Sequence, residues 1–297
     1  MNPSPRGATL AGLVAILFWS TSVGVLRSTT EALGPTGAPA ILFTLASVLL
    51  WPTRTAPRDI PRPYLWLGAT LFVGYELCFA LSLGYARSRA EALEVGMVNY
   101  LWPSLTVLCS VLAARQRLNA TLLAGLAIAL GGVIAATSPA SGFSPTRFFH
   151  NLAANPLSYG LALLGAVVWS LYSTCTRHLA GGKNGLWLFM TLSAVAFWAL
   201  HALQGGAPPM RWSPATVGLV IFSGLSVTLA YGLWNTGVLH GNLHALGLAA
   251  NATPLLSALF ASVLLSTTLP GIFWLGAAMV ATGSLLAGLG ARRRAGA

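Results

Sequence analysis

Residues 8–27 read ATLAGLVAILFWSTSVGVLR, and residues 156–177 read PLSYGLALLGAVVWSLYSTCTR. Both stretches lack acids, and each is long enough to cross the roughly 30 Å hydrocarbon core of a bilayer as a helix rising about 1.5 Å per residue. Each carries Trp-Ser past its middle and closes on Arg. A shift of 150 positions superposes Trp19-Ser20 on Trp169-Ser170 and Arg27 on Arg177. The same shift superposes Gly68 on Gly218, Phe72 on Phe222, Gly74 on Gly224 and Ala80 on Ala230; a shift of 151 superposes Pro103 on Pro254, Gly125 on Gly276 and Gly132 on Gly283. A near-constant offset that includes a Trp-Ser pair and a mid-span proline reads as an internal duplication.

Composition says what solvent the copies sit in. Of 297 residues, 56% are hydrophobic and 7% charged, where roughly a quarter of an ordinary soluble domain is charged. Mean hydropathy is +0.74. The acids are only Glu31, Asp59, Glu76, Glu91 and Glu94, too few to cover a soluble core of this size. The net charge of +11 is dispersed between apolar runs, so it forms no basic face for nucleic acid. Cys78, Cys109 and Cys175 all lie in apolar runs, where a thiol behaves as a small hydrophobe; no disulfide or metal framework is implied.

Ten segments pass the span test, near 8–27, 34–52, 64–84, 91–113, 119–138, 156–177, 185–204, 214–236, 244–266 and 270–290. Gly34-Pro35, Pro61-Arg62-Pro63, Ser138-Pro139, Gly181-Gly182, Ala207-Pro208-Pro209 and Leu269-Pro270 separate them, as residues that break or start helices should. The first run exceeds the apolar core of a signal peptide and lacks a convincing cleavage site, so it is expected to be retained as a span. The longest connection, residues 139–155, is read as an external surface loop rather than a functional lid. With both termini cytoplasmic, eleven basic residues fall inside and five outside (Arg27, Arg87, Arg89, Arg147 and Arg211), in keeping with the positive-inside rule.

The expected fold is therefore all-α and integral to the membrane: ten transmembrane helices in two five-helix repeats, residues 1–138 and 156–297. An odd number of spans per repeat makes the second copy enter from the opposite face. Such inverted repeats are a common route to alternating access.

These features resemble those of the drug/metabolite transporter superfamily, EamA branch. The likeness rests on five-plus-five spans, on the aromatic-Ser in the first span of each half, and on a mid-helix proline in the fourth, in Asn99-Tyr100-Leu101-Trp102-Pro103 and Asn251-Ala252-Thr253-Pro254. Gly-x6-Gly in the fifth span of each half completes it. The aromatic-rich spans are most similar to those of bacterial exporters of aromatic amino acids. The resemblance implies a central cavity between spans 1, 3, 4, 6, 8 and 9, with 5 and 10 packed together. One departure is the absence of the acid that many relatives carry after spans four and nine: here the stretches are Arg115-Gln116-Arg117-Leu118 and Ser266-Thr267-Thr268-Leu269.

Glu76 is the one acid near mid-span, where an ionised carboxylate costs roughly 2.5 to 3.5 kcal/mol or more against lipid, so it should face the cavity. It is read as a contact for a substrate ammonium, as a proton-coupling group, or as a structural hydrogen-bonded acid. Its repeat equivalent is Ser226. Ser88-Arg89-Ala90-Glu91 has the spacing of a capping box; Glu94, a turn deeper, is open to either a capping or a cavity role. Trp19, Tyr75, Phe79, Tyr100, Trp102, Trp169, Tyr172 and Trp234, with Tyr231, lie on the spans assigned to the cavity and would accept apolar and aromatic groups. Asn99, Asn235 and Asn251 are expected to point inward, bridging helices or binding polar ends of a solute. Pro103 and Pro254 are read as hinges or simple kinks. Gly125/Gly132 and Gly276/Gly283 should let spans 5 and 10 approach closely. His240 and His244 are four apart but have no carboxylate or thiol partner, so metal binding is not expected. Walker, dinucleotide, His-Glu-x-x-His and Gly-x-Ser-x-Gly motifs are absent.

The sequence thus points to a secondary transporter, and the resemblance implies export of small organic solutes, amino acids including aromatic ones, from the bacterial inner membrane. It is not read as an enzyme; its partners are the substrate and lipid, with no cofactor, and a monomer is taken as the working state. The alternatives are a proton-coupled multidrug or metabolite exporter and an intramembrane lipid-modifying enzyme.

Overall fold

In a computed structural model, residues 4–204 and 210–292 are described, and every regular element among them is helical. Ala207-Pro208-Pro209, Arg293 and Arg294 lie outside the described residues, as do the side chains of Arg177 and His244. Among the described residues, seven helical runs are long and apolar enough to cross a membrane: Pro5–Leu33, Tyr64–Gly84, Arg89–Ala113, Pro156–Thr176, Leu186–Leu203, Pro214–Gly237 and Gly271–Ala291. Three shorter apolar helices, Gly37–Thr53, Ala120–Ala136 and Thr253–Leu264, fall where the remaining expected segments lie. The outer faces of these rods are apolar: Trp66 is 71% and Val263 72% exposed, which would be costly in water and is natural against lipid chains.

The elements are α1 (Pro5–Ser20), α2 (Ser22–Leu33), α3 (Gly37–Leu50), α4 (Ala69–Gly84, entered through a π-helical turn at Tyr64–Gly68), α5 (Arg89–Asn99), α6 (Trp102–Ala113) and α7 (Ala120–Ala136). A short α8 (Pro145–Ala154) leads to α9 (Pro156–Leu179), α10 (Leu186–Leu203), α11 (Pro214–His240), α12 (Leu243–Ala250), α13 (Thr253–Leu264) and α14 (Gly271–Arg292).

The offset of 151 recurs in local geometry. Helices α6 and α13 span equivalent residues at an offset of 151, and each ends in a non-glycine residue with left-handed backbone, Arg115 (φ 52°) and Ser266 (φ 50°). In both copies the next amide reaches back to close the cap: Gln116 N donates to Val111 O at 3.0 Å and Thr267 N to Ser262 O at 2.9 Å. Such caps usually recruit glycine, so a shared exception is a stronger mark of common origin than a shared rule. Helix α8 lies in the 139–155 connection between the two halves.

Helices α7 and α14 form the most extensive pairing. A Cβ on Gly132 would lie 2.6 Å from Gly276 O, and one on Gly283 would lie 2.6 Å from Gly125 O. Only hydrogen fits there, as the seven-residue spacing predicted. Asn119 Nδ2 donates to Gly290 O (2.7 Å) and Ser104 pairs with Ser284 (2.7 Å), which pins α14 to α7 and α6.

The two ends of the bundle differ. At the end that carries Arg27, the guanidinium of Arg27 donates to the carbonyls of Leu83 (3.0 Å) and Ala86 (2.7 Å) and pairs with Glu31 (3.1 Å). Arg89 joins Glu31 (2.7 Å) to the Leu265 carbonyl (2.9 Å), linking α2 and α5 to the end of α13. The Ser88 cap forms as expected, with Ser88 Oγ accepting from Glu91 N at 3.0 Å. The Glu91 carboxylate itself accepts from the Arg87 backbone amide and guanidinium and from Asn155. Glu94 takes a structural part: Tyr159 donates to it at 2.6 Å and Asn151 of α8 at 3.0 Å. The polar connection is therefore docked onto the bundle.

Candidate functional site

Three rods are interrupted halfway along, and the interruptions meet. The first breaks at Thr21, whose hydroxyl turns back to Phe18 O at 2.7 Å. The break between α5 and α6 falls at Tyr100–Leu101, and that between α12 and α13 at Asn251–Ala252. Pro103 and Pro254 each occupy the second position of the following helix, where a missing N–H removes no intrahelical bond. The prolines thus start new helices at mid-depth instead of bending continuous ones.

Between these breaks lies a cavity lined from α1, α2, α3, α4, α5, α6, α9, α11 and α13. Eight of the predicted residues line it: Trp19, Tyr75, Glu76, Phe79, Asn99, Tyr100, Trp102 and Trp169. Trp169 is the hub, its ring 4.5 Å from Tyr75, 5.2 Å from Tyr172 and 6.2 Å from both Trp102 and Tyr231. Tyr75 stacks on Phe79 at 5.8 Å with planes 6° apart. Glu76 is 5% exposed and accepts a 2.8 Å hydrogen bond from the Tyr231 hydroxyl. Asn99 spans to α9, donating to Ala162 O at 3.2 Å.

Four predicted residues stand outside the lining. Tyr172 lies behind Trp169 and reaches Tyr64, with hydroxyls 3.4 Å apart. Trp234 packs on Trp19 at 5.0 Å. Asn235 is half-buried on α11, away from the lining. Asn251 bonds back to the Gly247 carbonyl of its own helix at 2.8 Å, a local partner that short amides readily take. Tyr231, expected among the cavity aromatics, also lines it, and so do Thr21, Ser22, Val25, Leu26, Leu42, Phe43, Ser223, Ser226, Val227 and Thr253, which the sequence did not single out as site residues. Ser223, Ser226, Val227 and Tyr231 recur at helical spacing on one face of α11, a signal that was available. Leu42 and Phe43 come from α3, a span the family pattern does not assign to the cavity.

The cavity extends from mid-depth toward the Arg27 end. Toward the end that carries Pro5 it is sealed by aromatic packing: Phe72 lies 5.4 Å from Tyr172, 5.8 Å from Phe189 and 5.7 Å from Tyr231, and Tyr64 lies 5.4 Å from Phe189. Beside this layer α1 and α11 close tightly, since a Cβ on Gly237 would lie 2.8 Å from the Cα of Gly12. Among the described residues no cluster of His, Cys, Asp and Glu could hold a metal ion.

A cavity at mid-depth between interrupted helices, sealed toward one end, is the geometry of a solute carrier. Comparison with known families decides which. The EamA-like transporter family model matches twice, at residues 6–138 and at residues 156–289. The chain belongs to the EamA-like transporter family. It is therefore a multi-pass membrane transporter, and the family is one of carriers and not of enzymes. Among curated relatives, the aromatic amino acid exporter YddG of Salmonella typhimurium is 46% identical over 97% of this chain and 98% of its own. The protein of the same name from Escherichia coli K12 is 43% identical over 96% of this chain and 98% of its own. That from Ancylobacter novellus is 30% identical over 98% of this chain and all of its own (100%). A solved crystal structure matches 98% of this chain and 99% of its own with a TM-score of 0.68 at 28% identity.

Proposed function

We propose that this transporter exports aromatic amino acids and related small organic solutes across the bacterial inner membrane by alternating access. The observation that carries the reading is near full-length identity, 46% and 43%, to two proteins named for that export. The aromatic lining of the cavity supports it, since rings stack on rings and shed water in doing so.

The mechanism follows from ten spans in two inverted halves, residues 1–138 and 156–297, joined by the external connection 139–155, with both termini cytoplasmic. The double family match, the offset of about 150 residues between elements and the eleven-to-five bias of basic residues support this arrangement. In that frame the Arg27 end faces outside and the Phe72 layer closes the cytoplasmic side. Exchange of conformation between the halves would open that layer and close the opposite mouth. Pro103 and Pro254, at the starts of equivalent half-helices, are where the exchange can turn. Substrate contacts are assigned to Trp19, Tyr75, Glu76, Phe79, Asn99, Tyr100, Trp102 and Trp169, joined by Tyr231 and Ser226. Tyr172 and Trp234 act from behind by holding Trp169 and Trp19.

Purified protein in liposomes tests the proposal. Saturable efflux of labelled phenylalanine or tryptophan without chemical conversion is expected, and Trp102→Ala should cut it without loss of folded protein. Conversion of a lipid, or an unsaturable ion current, would overturn it. The same assay with and without a pH gradient separates facilitated from proton-coupled transport.

A further inference from the structure

The charge inventory of the cavity is lopsided. Among the described lining residues Glu76 is the single carboxylate, and none is Lys, Arg or His. The other polar groups are neutral: the hydroxyls of Thr21, Ser22, Ser223, Ser226, Thr253 and the tyrosines, the indole N–H groups of Trp19, Trp102 and Trp169, and the Asn99 amide, one of whose N–H groups is engaged by Ala162 O. One hydroxyl, Ser226 Oγ, is buried without a partner. It is the repeat equivalent of Glu76.

A zwitterionic amino acid brings two charges into this space. Its ammonium meets Glu76 and the electron-rich faces of Tyr75 and Trp169, both favourable contacts for a desolvated cation. Its carboxylate meets no formally charged donor, only hydroxyls, indole N–H groups and the starts of α2, α6 and α13 at the three breaks, in the field of another carboxylate. Burying an anion without a charged partner is the costlier half of that exchange. A molecule with the same ring and ammonium but no carboxylate keeps the favourable contacts and omits the unfavourable one.

We propose that the cavity is primarily an ammonium site and that this transporter also carries aromatic primary amines, arylalkylamines that lack a carboxylate. The inference rests on the cavity being the substrate path assigned under the proposed function, and it adds a second substrate class to it. An aromatic acid that lacks the amine is excluded by the same reasoning, because discrimination is set by the group left unpaired.

The test uses the full-length protein in liposomes with labelled 2-phenylethylamine, L-phenylalanine and 3-phenylpropionate, subtracting flux in protein-free liposomes. Saturable amine flux, at least equal to that of phenylalanine and more than tenfold above that of the acid, is expected. Glu76→Gln should reduce amine flux at least tenfold. Phenylalanine flux without amine flux overturns this inference and leaves the amino acid reading standing. Amine flux without phenylalanine flux supports the inference and overturns that reading, and absence of both overturns both. Saturable flux of 3-phenylpropionate comparable to that of the amine would also overturn it. Should Glu76→Gln fail to fold, competition answers instead: 2-phenylethylamine must inhibit wild-type phenylalanine transport where 3-phenylpropionate does not, and the reverse order overturns the proposal.

Discussion

Tyr231 of α11 and Glu76 of α4, one from each half of the chain, are joined by a 2.8 Å hydrogen bond in which the phenol donates to Oε1. Among the described residues it is the one direct polar partner of a carboxylate that is 5% exposed. A hydrogen bond to a charged group is worth about 1.5 to 3 kcal/mol, or about 10- to 100-fold in an equilibrium that depends on ionised Glu76. Tyr231→Phe is therefore expected to lower transport in liposomes at least tenfold. The ring contacts to Trp19 (5.4 Å) and Phe72 (5.7 Å) survive the substitution, so the variant should remain monodisperse in detergent. Wild-type flux in that variant would remove the pair from the mechanism.

The two arginines that meet at Glu31 should behave differently on removal. Arg27 is 9% exposed and saturates two carbonyls of the α4 end as well as Glu31; taking away one partner of a buried charged network costs about 3 to 5 kcal/mol. The Arg89 side chain is 47% exposed, and exposed pairs contribute about 0 to 1 kcal/mol. Unfolding of Arg27→Ala and Arg89→Ala in mixed micelles should rank them in that order, with only the first lowering the midpoint strongly. Equal shifts would show that the two arginines share the load at this end.

Single cysteines in a background with Cys78, Cys109 and Cys175 replaced test the threading. With the second half inverted, Gly142→Cys is labelled by an impermeant maleimide on intact cells, whereas Lys183→Cys is labelled only after permeabilisation. Labelling of both on intact cells would mean that the halves run in the same sense, and alternating access by exchange would lose its basis.

What the sequence made visible, and what it hid, follows from the solvent. The Trp-Ser repeat, the Gly125/Gly132 and Gly276/Gly283 spacing and the Ser88–Glu91 cap were legible because each is a local requirement of backbone geometry or close approach. Glu76 was legible because a buried carboxylate cannot face lipid. Phe72, Phe189 and Tyr64 were not, although they make the seal. In lipid, a phenylalanine turned outward and one turned inward look alike, so hydrophobic periodicity loses the contrast that it has in water. For the same reason Phe43 entered the lining unannounced from α3. Trp234 and Tyr172 fell one layer behind the cavity wall because aromatic content marks the region but not the rotation of each helix. Asn251, expected to point inward, found a carbonyl on its own helix instead.

The Phe72 layer offers the sharpest test of the seal. Phe72 is fully buried (0% exposed) and touches four other rings, those of Trp169, Tyr172, Phe189 and Tyr231. Truncating such a side chain leaves a cavity and costs about 3 to 5 kcal/mol, and the void would lie between the substrate cavity and the Pro5 end. A cysteine at Ser226 should react with impermeant maleimide from the Arg27 side in either background. It should react from the Pro5 side only when Phe72→Ala is present, whereas Phe72→Leu, which refills most of the space, should keep that side closed. Reaction from the Pro5 side without the Phe72 substitution would mean that the aromatic layer is not the barrier.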